Sequence, residues 1–576
     1  MTKVIKIALL CILTVTYSNL SLADSNTINS NSSTQQDIDG DGEFLTVKDN
    51  STLATGATTK AANVTGDSVD VTVESGSTIS ANTVAVFGDN TSDLTVTNSG
   101  TITASATTAI DVKGTTDATI TNSSSGTISS NRNTIRISKT GSNNTTGMTI
   151  TNSGTITASN GSAIFASDGN SAATITNKIG GEITNSDTSN ATIRAGASST
   201  IVNSGTIKND IDNDAIKLYG NNATITLKDG GIVVGKIDGL LRTGSKLKFN
   251  HGVGQGYFYN TEGDFTLEDL DGNQVVKGSA GSVGQGGSET LDELLSYKSM
   301  NLRQFFSKYN KLNKKETWGD AYFSNLKRDT HTSNLALEYD LLNFGVNLIN
   351  QIDNSSFVIA FEGGTQDFIK DHKIDYKNIT SGIYLPQKNN SYFNLDAFVL
   401  AGITFKEGKR TILTNTTSSG KLQIDSDYET YEIHTGIKRN NLSLIPDLGL
   451  AISYSITPNY EESKYFSWND RHIGNISIFF SDDYNLIKKS DSKLVLGWTL
   501  DIRNMIGDKK QVYSINGSSA TYKQHNDLTK EISLLGNIGY EKWFSKNSKI
   551  SFTLGAMDTN QYAKSIGANI SLKNRF

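Results

Sequence analysis

Five times between residues 95 and 203 the chain repeats a four-residue phrase that ends in asparagine. The phrases close at Asn98, Asn122, Asn152, Asn177 and Asn203, and four of the five begin Thr-Ile or Thr-Val and continue Thr-Asn. A Gly-Thr-Ile step or a close variant follows each, at Gly100, Gly126, Gly154, Gly181 and Gly205. A third short apolar run recurs at residues 83–87, 109–112, 134–137, 163–165 and 215–218. The spacing of 24 to 30 residues is that of a solenoid repeat. A unit of three short strands cannot bury its apolar side alone. Coiled into one rung and stacked about 4.8 Å from the next, it can. The spacing therefore predicts a right-handed parallel β-helix over residues 24–230, with about nine rungs from Phe44 to Ile237. Ile102, Ile120, Ile128, Ile150, Ile156, Ile175 and Ile201 should point inward. The five asparagines should meet at one turn as a ladder of hydrogen-bonded amides. A disordered Ser/Thr-rich stalk is the alternative, and isoleucine recurring at strand spacing argues against it.

Composition breaks near residue 290. Between Phe44 and Leu218 the aromatic residues are Phe87 and Phe165, whereas Trp318, Trp468, Trp498 and Trp543 all come late. Residues 24–277 carry 26 acidic against 16 basic residues, which makes nucleic acid an unsuitable partner. Residues 231–277 bring Phe249, Tyr257, Phe258, Tyr259 and Phe265 among glycines and acids, and read as a β-rich cap on the open end of the solenoid. Residues 278–287 are a glycine-rich linker. Leu291, Leu294, Leu295, Leu302, Phe305, Phe306 and Tyr309 then recur at helical spacing behind a Thr290/Glu293 capping box. At 1.5 Å per residue such a helix, within a 278–315 linker segment, is long enough to thread a membrane pore.

At the front, Lys3 and Lys6, an apolar run too short to span a membrane, and Ser21-Leu22-Ala23 read as a secretory signal over residues 1–23. Cys11, the one cysteine, lies inside it, so the mature chain is expected to have no disulfides.

The second half, residues 316–576, alternates apolar and polar residues in twelve segments. They fall near 316–325, 332–349, 353–364, 372–386, 389–405, 421–438, 441–456, 465–480, 491–504, 528–543, 547–558 and 562–576. An even count of alternating strands in an exported chain predicts a 12-stranded antiparallel outer-membrane β-barrel. Residues 389–390 and 440–441 suit tight turns at one rim, and 411–420 and 506–526 suit long polar loops at the other. In the last segment Ile566, Ala568, Ile570 and Leu572 share one parity, and Asn569 and Ser571 the other. The expected faces are lipid and lumen. The segment ends in Phe576.

Ser565, Gly567, Ile570, Leu572 and Phe576 resemble the C-terminal targeting signal of bacterial outer-membrane proteins, with four residues beyond its usual end. The whole order of signal, β-helix, linker helix and barrel resembles the monomeric autotransporters, the type V secretion proteins of Gram-negative bacteria. Trp318 to Phe323 are similar to the first strand of their translocator domain. The resemblance implies that the barrel, with periplasmic chaperones and the barrel assembly machinery, passes the passenger outward and leaves it at the cell surface. It implies that 231–277 act like an autochaperone. Many relatives cleave between two asparagines in the linker helix, and residues 288–315 contain no such pair.

Candidate chemistry is sparse. Gly66-Asp67-Ser68-Val69 is similar to the nucleophile block of secreted esterases, but His251 is the one histidine available as a base in residues 24–277. Asp37, Asp39 and Asp41 with Gly42 have the start of a calcium loop, and the position due a bidentate glutamate is Lys48. We expect no catalytic residues, no cofactor and no metal. Two functions remain. One is an adhesive rod that binds a cell-surface ligand or itself; the alternative is a surface hydrolase acting through Ser68.

Overall fold

The computed structural model describes residues 25–575 except 57–58, 167–170, 274, 276–279, 284–287, 308–315, 330–337, 353–354, 386–394, 440–445, 509, 516–517, 519–520 and 526–529. The signal segment with Cys11, the turns expected at 389–390 and 440–441, Tyr309 and Phe576 lie outside the described residues, as do the side chains of Thr290, Leu291 and Glu293. The chain divides into two compact units. One comprises Met1–Gly252, Phe258–Val275 and Leu413–Leu422; the other comprises Val253–Tyr257, Val276–Ile412 and Gln423–Phe576.

The first unit is a parallel β-helix built of three ladders with eleven, eight and ten strands. Sheet 1 takes the strands that end in the repeated asparagine, such as Thr119–Asn122 and Thr200–Asn203. Sheet 2 takes those after the glycine, such as Thr127–Ser130, and sheet 3 the third runs, such as Ile135–Ser138. Register is strict: Ile120 pairs Ile150, which pairs Ile175, which pairs Ile201. Like stacks on like because a one-residue slip would turn every isoleucine outward. All seven isoleucines expected inside are at most 1 % exposed.

The glycine after each asparagine is needed because neighbouring rungs approach too closely for a side chain. A Cβ on Gly154 would lie 2.2 Å from the Gly126 carbonyl oxygen, and one on Gly205 would lie 2.3 Å from that of Gly181. Backbone runs against backbone there, and no side chain fits.

The ladders also run past residue 230. Ile232–Val234 extends sheet 2, Lys236–Asp238 extends sheet 3, and Lys246–Asn250 and Thr266–Asp269 extend sheet 1. These last turns keep the register but change the filling. Phe249 stacks on Tyr259 with centroids 5.7 Å apart, and both are buried. His251 is buried beside them, its Nε2 3.1 Å from the Tyr259 hydroxyl.

In the second unit, twelve strands from Glu316–Arg328 to Ala563–Arg575 form a ring, closed through the pairing of Leu395–Thr414 with Lys421–Arg439. The last strand pairs antiparallel with the first, Arg575 opposite Glu316 and Ile570 opposite Ala321. Leu395–Thr414 and Arg471–Lys488 run past the expected ends at residues 405 and 480, the first into the stretch expected as a loop from 411, and two further segments differ from the sequence expectation. Residues 465–470 are not barrel wall, and 506–526 are not plain loop. Phe466–Trp468 joins Tyr460–Glu462, Lys510–Ile515 and Thr521–His525 in a separate four-stranded sheet. Aromatic stacking holds that sheet together: Tyr428 on Tyr460 at 4.1 Å, Tyr460 on Trp468 at 5.9 Å, and Trp468 beside Tyr513 at 5.2 Å.

The barrel's outside is apolar. Phe323, Phe344, Phe361, Ile383, Val399, Leu534, Phe552, Ile566, Ile570 and Leu572 are all exposed large hydrophobics. A surface of this extent suits hydrocarbon rather than water and places the barrel in an outer membrane. The alternate residues face inward: Ser571 is 2 % exposed where Leu572 is 57 %.

Ile150→Ala should leave a cavity in the aliphatic column and cost about 2–5 kcal/mol. Limited proteolysis of the solenoid against rising denaturant measures it. An unchanged midpoint would mean that the column does not hold the rungs together.

Candidate functional site

Two places in the molecule hold organised polar chemistry besides the turns: the lumen of the barrel and the inner edge of the solenoid's first corner.

The helix Ser288–Ser307 lies in the lumen. Leu302, Phe305 and Phe306 pack against Trp318, Ile349, Val358, Ala360, Tyr384, Phe398, Leu400, Ala451 and Phe479, which belong to seven different barrel strands. Phe306 stacks on Tyr384 at 4.7 Å and 4°. Its polar side is tied as firmly. Lys298 Nζ sits 2.8 Å from Glu432 Oε1 and 2.5 Å from Thr404 Oγ1, and both partners of the ion pair are 3 % exposed. The Thr404 hydroxyl donates to the same carboxylate at 2.6 Å, and Asn378 Nδ2 donates to Thr404 at 2.8 Å. His434 lies between Glu432 and Ser453. One turn on, Arg303 pairs with Asp501 and stands 5.0 Å over the Phe479 ring. Each buried charge thus has a counter-charge, and Lys298, Glu432 and Arg303 have further hydrogen bonds, the condition for tolerating them.

The helix has a direction. Its C-terminal part, Leu302 to Phe306, is level with Trp318 near the start of the first strand. Its earlier residues Leu294, Tyr297 and Met300 are level with Leu326, Tyr339 and Ala563, at that strand's far end. The start of the first strand is also where the last one finishes: Glu316, buried, takes Lys573 at 2.6 Å and Arg575 at 2.7 Å. Chain upstream of the helix therefore enters the lumen at the rim opposite the seam's Glu316 end.

In the solenoid, Asn98, Asn122, Asn152, Asn177 and Asn203 are fully buried. Each of the first four donates Nδ2 to the next one's Oδ1, at 2.8, 2.8, 2.9 and 2.8 Å. The other donations go to carbonyls at the glycine corner, such as Asn152 to Gly154 at 3.0 Å and to Glu182 at 3.1 Å. The ladder has a polarity. It ends at Asn203, where the next rung offers Leu227; Asn203 keeps the bond to the next rung's carbonyl, here that of Ile232, that the other four also make. It begins at Asn98, opposite Val73, and the buried Asn98 Oδ1 has no partner among the described residues.

The outward faces of the solenoid differ. Sheet 1 presents threonines in register, Thr95, Thr119, Thr149, Thr174, Thr200 and Thr224. Sheet 3 presents a mixed column: Asp37, Asn63, Phe87, Asp111, Arg136, Phe165, Arg194, Lys217, Asp238 and Glu262. Sequence reasoning missed it. The signal available was that the two aromatics of the aromatic-poor stretch, Phe87 and Phe165, both fall on third-run strands.

Ser68 and His251 are not brought together. Ser68 sits in a turn with φ of 57°. The strand after it, Asp70–Val73, and the strand before His251, Lys246–Asn250, are seven ladder steps apart, about 34 Å at roughly 4.8 Å per step. Asp37 and Asp41 serve separate places: Asp37, on a strand of sheet 3, accepts from Asn63 of the next strand at 2.9 Å, and Asp41, in a turn, accepts from the Asp67 amide at 3.0 Å. The bonds from Asn63 and Gln35 hold the Asp37 carboxyl below the usual carboxylate range. Among the described residues no group of three or more His, Cys, Asp or Glu could hold a metal ion.

No family model matches this chain, and no curated protein matches it. Solved structures similar to it include the translocator domain of the autotransporter NalP from Neisseria meningitidis, 12 % identical, covering 50 % of this chain and 98 % of that one at a TM-score of 0.35. The transport unit of the autotransporter AIDA-I from Escherichia coli is 9 % identical, with coverage of 48 % and 97 % and a TM-score of 0.31. The Ralstonia pickettii toluene transporter TbuX is 10 % identical, with coverage of 46 % and 91 % and a TM-score of 0.30. Likenesses this distant fall on barrels of more than one kind and add nothing to what the geometry establishes. Along this chain the order of β-helix, luminal helix and closed 12-stranded barrel is the layout of a monomeric autotransporter.

Three substitutions separate the roles of these sites. Asn152→Leu removes an acceptor of the Asn122 amide and strands the Asn177 oxygen inside the solenoid and should cost about 2–4 kcal/mol, whereas Val73→Asn gives Asn98 Oδ1 a donor and should be tolerated. Equal losses in chemical unfolding would contradict a directional ladder. Lys298→Met leaves Glu432 buried without its cation. It should loosen the helix at about 3–5 kcal/mol and raise the conductance of the barrel in planar bilayers.

Proposed function

We propose that this protein is an autotransporter whose barrel exports and anchors its own β-helix, which stands at the cell surface as an adhesive rod. The observation that carries this reading is the direction of the luminal helix. The chain enters the lumen at one rim and joins the wall at the other, so residues upstream of the helix leave the barrel through the rim opposite the seam end at Glu316 and Arg575. A solenoid suits such export. Each rung contacts its neighbours through short local ladders, so it can fold stepwise as it emerges and needs no long-range closure. The aromatic last turns, residues 231–269, act as the autochaperone from which that folding starts. Residues 565–576 act as the targeting strand read by the assembly machinery, with periplasmic chaperones holding the chain until then.

The adhesive reading rests on the solenoid's regular outward columns and on the separation of Ser68 from the one histidine of that half. It places the ligand among cell-surface or self-association partners.

Deleting residues 565–576 opens the wall and leaves strand-edge groups unpaired in lipid, at several kcal/mol each. Leu572→Asp sets a charge on the lipid face. Both should reduce the β-helix accessible to external protease on intact cells to near zero. Cells of a non-adherent strain carrying the full chain should clump or attach to surfaces, and cells carrying the Leu572→Asp chain should not. Wild-type surface display in the deletion variant contradicts the export reading. Normal display without any attachment contradicts the adhesive one.

A further inference from the structure

On the sheet 3 column the charges are matched along almost its whole length. Arg136 holds Asp111 with Nε at 2.8 Å and Nη2 at 2.6 Å. Lys217 lies 2.8 Å from Asp214 and 2.5 Å from Asp238. Lys60 stands 3.4 Å from the Phe87 ring centroid and donates to Asn63 at 2.9 Å. Arg194, like Lys60, meets aromatic rings rather than a carboxylate. Its guanidinium is stacked between two rings, 4.5 Å from the Phe165 centroid and 3.9 Å from that of Tyr219. No carboxylate neutralises it among the described residues. Its Nε is shielded from solvent and has no acceptor.

The geometry points to Arg194, held between Phe165 and Tyr219, as a binding site for the carboxylate groups of an acidic polysaccharide. This deepens the adhesive-rod reading and rests on it. Among the described residues an unneutralised cation stands out on a half of the chain with 26 acidic and 16 basic residues. Flanking rings fix the guanidinium plane, so little side-chain freedom is lost when a ligand arrives. A planar fork of N–H donors matches a carboxylate two bonds at a time. With Nε shut off, the ligand is taken by the terminal N–H groups of the half-exposed side chain.

The surroundings choose between a sugar and a protein. Exposed residues in the neighbouring turns are Thr188, Ser189, Ser198, Asn221 and Asn222, which offer hydroxyls and amides, with Ile211 and the acidic Asp212 on the next rung. A protein partner would want an aromatic anchor free to enter a pocket. Here both rings already have a face against the guanidinium.

The test uses outer-membrane vesicles carrying the full chain. The probes are polygalacturonate, the same polymer with its carboxylates reduced to alcohols, and polyglutamate. Wild-type vesicles should retain polygalacturonate at low salt and release the reduced polymer. Arg194→Gln should weaken retention by about tenfold or more. Equal retention by Arg194→Gln, equal retention of the reduced polymer, or no retention by the wild type would each overturn the proposal. Preference for polyglutamate would overturn it in favour of an acidic peptide. If Arg194→Gln lost the protease-resistant solenoid, Arg194→Lys, which keeps the charge without the fork, would carry the test. Weaker retention supports the site, and unchanged retention overturns it. External protease on the same vesicles reports separately whether the β-helix is displayed, so a failure of this site is distinguishable from a failure of the export reading.

Discussion

Backbone groups with nowhere else to bond shape both halves of this molecule. In the lipid-spanning wall no water is available, so each N–H and C=O must pair within the ring, and the ring must close. The seam between Glu316–Arg328 and Ala563–Arg575 is where that requirement is met last along the chain. It is reinforced on the lumen side, where Glu316 takes both Lys573 and Arg575 and Asp320 takes Asn569 at 2.8 Å. The closed ring in turn makes an interior too wide to fill from the wall alone. The helix Ser288–Ser307 fills it, with aromatic packing at one level and two ion pairs above.

The solenoid meets the same requirement by stacking. Every interior rung is paired above and below, and only the terminal rungs have edges. Its core is one side chain thick on each sheet, which explains why Ile and Val suffice over most of its length. The ladder of asparagines is a second, side-chain version of the same stacking. Its amides run in one direction, donor toward the C-terminal end, so the array is as polar as the rungs it joins. Where the ladder ends, at Leu227, the aliphatic filling begins to give way to Phe249 and Tyr259.

Much of this was legible in the sequence, for physical reasons. Repeats at fixed spacing determine register, so the inward isoleucines and the sharing of one corner by five asparagines follow from letters alone. Period-2 alternation marks the barrel strands within a few residues. What was not legible depends on neighbours distant in sequence. Nothing near Gly154 says that its missing Cβ is demanded by the Gly126 carbonyl. Nothing in residues 465–470 or 506–526 says that Trp468 and Tyr513 will stack beyond the wall. Nothing in the aromatics and glycines of the expected cap says that Lys246–Asn250 and Thr266–Asp269 continue the same ladders. The Arg194 site was invisible because its three residues come from three rungs, and only register brings Phe165 and Arg194 together.

The central claim is that the β-helix is exported to the cell surface, while the rim of the wall that carries the seam's Glu316 end faces the periplasm. Because Cys11 is the one cysteine in the chain, single thiols introduced into the Cys11→Ser chain report sidedness directly. Ser124, exposed on a solenoid turn, and Ser545, exposed in the turn beside the chain's last strands, are suitable positions. Intact cells are treated with a membrane-impermeant maleimide. Ser124→Cys should label fully, and Ser545→Cys should label only after the outer membrane is permeabilised. Labelling of Ser545→Cys on intact cells with Ser124→Cys protected would contradict this orientation.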